Sequence, residues 1–156
     1  MFAHCDPNGA DRPSLQVGAA ERGAADRPAR ILVVEDERHI ARLLEFVLSR
    51  AGYEVCICHS GEHALLKLEK FKPDALVLDF LLPGMTGADF LRAVRAMPIF
   101  GNCAVVILSS QWLDRTETTL IGADVTAMCS KPIAPTSLLR KLNELGVRVS
   151  MPLGDR

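Results

Sequence analysis

The 156-residue sequence contains no run of about 18 apolar residues, the length a membrane-crossing helix needs, so no segment is expected to span a bilayer. It also lacks the early apolar segment of a secretory signal. An excess of either charge is missing: 18 Lys and Arg stand against 19 Asp and Glu. No basic tract is present to track a phosphate backbone, which disfavours direct nucleic-acid binding. The five cysteines, Cys5, Cys56, Cys58, Cys103 and Cys129, are odd in number and show no paired CxxC spacing. They fit neither a zinc site nor a disulfide framework. They are read as reduced, small core residues of a soluble cytoplasmic protein.

What is present suggests one domain, because domains commonly run to about 100–150 residues and a second folded unit would be cramped. Residues 1–28 are rich in Ala, Gly, Pro, Asp and Arg without apolar periodicity, the composition of a disordered leader. Residues 29–147 carry the folded pattern and 148–156 form a tail. From Arg30, short apolar runs alternate with amphipathic segments, as βαβ units with a parallel sheet do. Candidate strands are Ile31–Val34, Tyr53–Cys58, Ala75–Leu78, Cys103–Leu108 and Val125–Cys129. Three are almost continuously apolar, as strands covered on both faces should be.

Between the strands, Ile40, Leu43, Leu44, Val47 and Leu48 recur at helical spacing and predict a helix with one core-facing stripe. A second helix is expected to start with Ser60 as its cap and to turn Ala64, Leu65 and Leu68 inward. A third is expected to start at Thr86, with Phe90, Leu91 and Val94 inward. A fourth is predicted over about Leu113–Ile121. The last runs from Pro135 to Leu145 with Leu138, Leu139, Leu142 and Leu145 on one side.

In an open parallel sheet, ligands bind beyond the carboxyl ends of the strands. Those ends hold Glu35-Asp36-Glu37, Asp79, Ser109-Ser110 and Lys131-Pro132. Two carboxylates about 5 Å apart repel by about 3 kcal/mol at an effective dielectric of about 20, so Glu35, Asp36 and Asp79 together call for a cation. Oxygen ligands suit Mg²⁺, which commonly binds one or two carboxylates and a phosphate oxygen. A phosphoryl group could then be held by Lys131 and a hydroxyl, with Asp79 as nucleophile. Singly, each residue has a plainer explanation. Asp36 suits a helix cap, Glu37 a first-turn charge, Asp79 and Ser109 a loop, and Lys131 a solvated surface. Their joint placement at four strand ends favours the phosphoryl site.

Over about Arg30–Gly146 the sequence resembles the CheY-like receiver domains of two-component response regulators. The resemblance rests on Ile31-Leu-Val-Val-Glu-Asp-Glu37, Asp79-Phe-Leu-Leu-Pro-Gly-Met-Thr-Gly87, Ile107-Leu-Ser-Ser110 and Ser130-Lys-Pro132. It implies a doubly wound, flavodoxin-like α/β fold with a five-stranded parallel sheet of order 2-1-3-4-5 and five helices. It also implies Mg²⁺ on Glu35, Asp36, Asp79 and the Leu81 backbone carbonyl, phosphoryl acceptance by Asp79, and phosphoryl oxygens bound by Ser109 and Lys131. A cis Lys131–Pro132 bond is implied as well, at a typical cost of only about 0.5–1 kcal/mol.

Two features depart from the family pattern. Met128 occupies the position, three before the lysine, that is often aromatic and reports phosphorylation. Gly122-Ala123-Asp124 lies two residues further from the lysine than in many members. The resemblance implies a histidine kinase or histidine phosphotransfer protein as donor and a downstream protein target that the sequence does not name. The chain would be a phosphoacceptor rather than an enzyme. A phosphate sink or relay intermediate is the alternative. An Asp-nucleophile hydrolase of the haloacid-dehalogenase kind is disfavoured, because Leu81 stands where its general-acid Asp would be. Gln111, two beyond Ser109, could orient a water toward the acceptor, and Leu81 could exclude one.

Overall fold

The computed structural model describes residues 27–110 and 126–149. In chain order these form β1 (Arg30–Val34), α1 (Arg38–Arg50), β2 (Glu54–Cys58), α2 (Gly61–Phe71), β3 (Ala75–Asp79), α3 (Gly87–Ala96), a 3₁₀ turn (Pro98–Phe100), β4 (Ala104–Ser109), β5 (Thr126–Ser130) and α4 (Pro135–Glu144). The predicted helix over Leu113–Ile121 lies outside the described residues. All strands pair in parallel, in the order β2-β1-β3-β4-β5. This is the doubly wound sheet that the resemblance implied.

The alternation of a strand's side chains splits the apolar runs between two cores. Leu32, Val34, Leu76, Leu78, Val105 and Ile107 face α2 and α3, which contribute Ala64, Leu68, Phe90, Leu91 and Val94. Ile31, Val33, Ala75, Val77, Val106 and Leu108 face α1 and α4, which contribute Leu44, Leu48, Leu138 and Leu142. Covering on both faces explains why β1, β3 and β4 are almost wholly apolar.

Local chemistry sets the helix starts. The Ser60 hydroxyl accepts the His63 N–H at 3.2 Å and opens α2, and the Thr86 hydroxyl accepts the Asp89 N–H at 3.1 Å and opens α3. Three details differ from the sequence reading. In α1 the buried residues are Ala41, Leu44 and Leu48, while Leu43 is 45% exposed. The stripe is thus centred on the small Ala41, and Leu43, one residue and about 100° round from Leu44, falls on the flank. Glu37 occupies the cap position of α1 rather than its first turn: its carbonyl accepts the Ala41 N–H at 2.9 Å, and its side chain caps nothing. Tyr53 precedes β2, its N–H bonded to the Leu48 carbonyl and its buried hydroxyl donating to the Val147 carbonyl at 2.8 Å.

The register decides what meets at the carboxyl edge. Val34 lies opposite Cys58 and Leu78, Asp79 opposite Leu108, and Ser109 opposite Ser130. Glu35, Asp79, Ser109 and Lys131 therefore leave neighbouring strands at nearly one level.

Candidate functional site

The carboxyl edge buries charge. Glu35 is fully buried, Asp79 and Ser109 are nearly so, and the Lys131 side chain keeps only 16% of its surface. The Lys131 ammonium stands between two carboxylates, 2.9 Å from Asp79 Oδ2 and 3.0 Å from Glu35 Oε2. The remaining oxygens accept backbone N–H groups: Glu35 Oε1 from Glu37 at 3.1 Å, Asp79 Oδ1 from Leu81 at 3.0 Å. Asp36 is exposed beside them. One carboxylate oxygen from each of Glu35, Asp36 and Asp79 lies within 4.8 Å of the others.

Backbone bonds hold these groups in place. The Glu35 N–H donates to the Cys58 carbonyl at 3.0 Å, Phe80 N–H to Leu108 at 3.0 Å, and Lys131 N–H to Ser109 at 2.9 Å. The Lys131–Pro132 peptide is cis. His59 Nδ1 lies 2.9 Å from the Glu35 carbonyl, which can only accept, so this nitrogen carries the hydrogen.

Among the described residues three carboxylates face one ammonium, and the electrostatics reflect the deficit. Burial raises Glu35 to about 7 against the lowering effect of the Glu37 N–H and Lys131, and the Asp79 charge adds to the rise. Burial also works against the Lys131 ammonium, but its hydrogen bonds to Asp79 and Glu35 outweigh that and raise its pKa. The donor set is all oxygen, anionic and partly open through Asp36, which fits a hard divalent cation.

The structure brings together the predicted residues Glu35, Asp36, Asp79, Ser109 and Lys131. Leu81 donates its N–H to Asp79 and is 57% exposed. Met128, half-buried, packs against the core under α2 and α3. Gln111 and Gly122–Asp124 lie outside the described residues.

Sequence reasoning missed the anchoring of the loop after Asp79. Glu62, in the first turn of α2, accepts the Met85 N–H at 3.2 Å. A Cβ on Gly87 would lie 2.7 Å from the Phe80 Cα, so only glycine lets α3 begin this close to the end of β3. Glu62 gave no signal beyond a helix first-turn acid; Gly87, at the start of α3, was visible in the motif.

Known proteins are similar in sequence and in fold. The model of the response regulator receiver domain matches residues 31–143. The chain is 32% identical over 118 residues to the transcriptional regulatory protein TrcR of Mycobacterium tuberculosis, covering 76% of this chain and 45% of TrcR. It is 35% identical over 106 residues to the alkaline phosphatase synthesis regulator PhoP of Bacillus subtilis, covering 68% and 43%. It thus spans less than half the length of these two relatives. Among solved structures, the chemotaxis protein CheY4 of Vibrio cholerae superposes with a TM-score of 0.71 at 31% identity, covering 76% of this chain and 98% of CheY4. A response regulator of Chloroflexus aurantiacus gives 0.69 at 34% identity, covering 78% and 100%. Parallel sheet, acidic edge and family model agree: the chain belongs to the response regulator receiver domains of two-component signalling, a family of phosphoacceptors.

Proposed function

We propose that Asp79 is the phosphoryl acceptor, taking the group from a phosphohistidine of a histidine kinase or phosphotransfer protein in the cytoplasm and thereby changing a surface that a target protein recognises. The observation that carries this reading is Lys131, held between Asp79 and Glu35 at 2.9 and 3.0 Å. That position lets it follow a phosphoryl oxygen once the acceptor oxygen is esterified. In the transfer, a carboxylate oxygen of Asp79 attacks phosphorus, the phosphorus–nitrogen bond breaks, and the imidazole takes up a proton. Ser109, buried at the end of β4, would hold a second phosphoryl oxygen.

Mg²⁺ would be held by Glu35, Asp36, Asp79 and the Leu81 carbonyl, where its charge offsets that of the phosphoryl oxygens. Met128 would repack at the output face in place of an aromatic switch, since methionine is flexible. What TrcR and PhoP do as transcriptional regulators belongs to those longer proteins. Their kinship makes a phosphate sink the less favoured reading.

Incubation with a labelled phosphohistidine donor tests the assignment. Acid-labile, base-labile label is expected on the wild type in Mg²⁺, and none on Asp79→Asn or in EDTA. Label on Asp79→Asn at the wild-type rate overturns the acceptor, and an EDTA-insensitive rate overturns the metal.

A further inference from the structure

Cys56 and Cys58 lie two residues apart on β2, the edge strand, so their side chains project from the same face of the sheet. Both pack on the core under α2 and α3, Cys58 buried and Cys56 only partly so. The two thiols are near enough to feel each other: burial first, and then the Cys56 neighbour, pushes Cys58 up to about 12. The proposed phosphoryl site uses neither. We infer that Cys56 and Cys58 are a dithiol site that a peroxide closes reversibly to an intrastrand disulfide.

Accessibility fixes the order of events. Cys56, the more accessible of the two, attacks hydrogen peroxide as its thiolate; the O–O bond breaks, leaving Cys56 as the sulfenic acid and releasing one water after protonation. The Cys58 sulfur then attacks the Cys56 sulfur, the S–O bond breaks, and a second water leaves with the Cys58 proton. The two thiols lose two electrons and two protons, and the peroxide is reduced to two waters. Alternate residues of a strand are about 6.6 Å apart between Cα atoms, and their parallel Cβ atoms are about as far apart. That is well beyond the roughly 4 Å of a relaxed disulfide, so the bridge forms only if this edge strand gives way locally. Closure therefore puckers the strand, and a strained disulfide is easily reduced, as suits a reversible modification rather than a structural bridge.

The strain falls next to the acidic edge. Cys58 lies opposite Val34, and its carbonyl accepts the Glu35 N–H at 3.0 Å. Closing the disulfide draws Cys58 toward Cys56 and loosens that bond. Oxidation is thus felt at Glu35 through the backbone.

The full chain treated with hydrogen peroxide and then digested with trypsin tests this, because both thiols fall in one peptide, residues 51–67. The expected product is that peptide lighter by two hydrogens, restored by dithiothreitol and absent from both Cys56→Ser and Cys58→Ser. Sulfinic or sulfonic acid on Cys56 with Cys58 still a free thiol overturns the proposal. Bridging of either cysteine to Cys5, Cys103 or Cys129 instead does the same. In the oxidised protein, amide exchange at Glu35 is expected to speed at least tenfold. An unchanged Glu35 amide in the disulfide form overturns the link to the acidic edge. Neither readout depends on phosphorylation, so failure here is distinguishable from failure of the acceptor assignment.

Discussion

The two ends of the sheet carry charge networks of opposite design. At the amino edge Asp74 takes both guanidinium nitrogens of Arg27, at 2.9 and 3.2 Å, and the Arg30 N–H at 2.7 Å. Arg30 pairs with Glu54 at 3.1 Å and donates to the Phe71 carbonyl. Two carboxylates there meet two guanidinium groups, every partner is in place, and the pairs reach solvent. The carboxyl edge instead buries Glu35 and Asp79 around one ammonium among the described residues, with Asp36 beside them. A network that is matched and exposed holds chain segments together. One that is buried and short of positive charge is poised to take up a cation, a proton or a ligand.

Removing Lys131 separates the two designs most sharply. Lys131→Ala leaves Glu35 and Asp79 buried without their common partner, a loss that typically costs about 3–5 kcal/mol. Urea unfolding in EDTA at pH 8 should show a loss of that order, partly recovered by millimolar Mg²⁺. A loss below about 1 kcal/mol with no Mg²⁺ recovery would mean that the carboxylates do not depend on a cation.

The next effect is a pH dependence. Glu35 ordinarily titrates at 4.5 and is raised to about 7 when folded. Between these values the folded chain holds a proton that the unfolded chain has released. The contribution is complete below about 4.5 and is lost as pH rises through about 7. At about 1.4 kcal/mol per unit the upper bound is about 3 kcal/mol. In EDTA, from pH 5 to pH 8, the wild type should lose stability relative to Glu35→Gln. A constant difference between the two would contradict the raised pKa.

At the amino edge the expected response is smaller and without functional consequence. Asp74→Ala removes the Arg27 pair and leaves the Arg30 N–H without its acceptor, which should cost about 1–2 kcal/mol. The rate of phosphoryl acceptance should stay within twofold of wild type. A large fall in that rate would show that the two ends are coupled through β3.

The carboxyl half of this contrast was legible in the sequence, the amino half was not, and what was missed has a physical reason. The apolar runs gave the parallel strands because covering on both faces removes any need for alternation. Ser60 and Thr86 gave helix starts because a hydroxyl cap is a local event. The residues that meet at the carboxyl edge were legible because strand ends are positions that the run pattern itself defines. The errors concern rotation and reach. Leu43 has the spacing of a core residue, but tertiary packing centres α1 on Ala41. The Glu62 contact with Met85 joins residues 23 apart through a loop whose path no pattern encodes. The sharing of Lys131 between Glu35 and Asp79 spans 96 and 52 residues and depends on the register of the whole sheet.

The smallest expected effect concerns the lifetime of the acyl phosphate proposed on Asp79, which would end when a water lines up opposite the carboxylate oxygen for in-line attack. Leu81 is the described residue placed to interfere. Its N–H on Asp79 Oδ1 fixes its backbone beside that carboxylate, while the residue, 57% exposed, stands open to solvent and not over a sealed cavity. Shielding by such a side chain is partial, and one oriented hydrogen bond is worth about 1 kcal/mol, or roughly fivefold in rate. Leu81→Asn both reduces the shielding and offers an amide to hold water, so phosphate release should speed about fivefold. Leu81→Ala reduces the shielding without offering the amide, which separates the two causes. Acceleration in both variants identifies shielding, whereas acceleration in Leu81→Asn alone identifies water orientation. Decay of the labelled acyl phosphate at the wild-type rate in both would remove Leu81 from control of the lifetime.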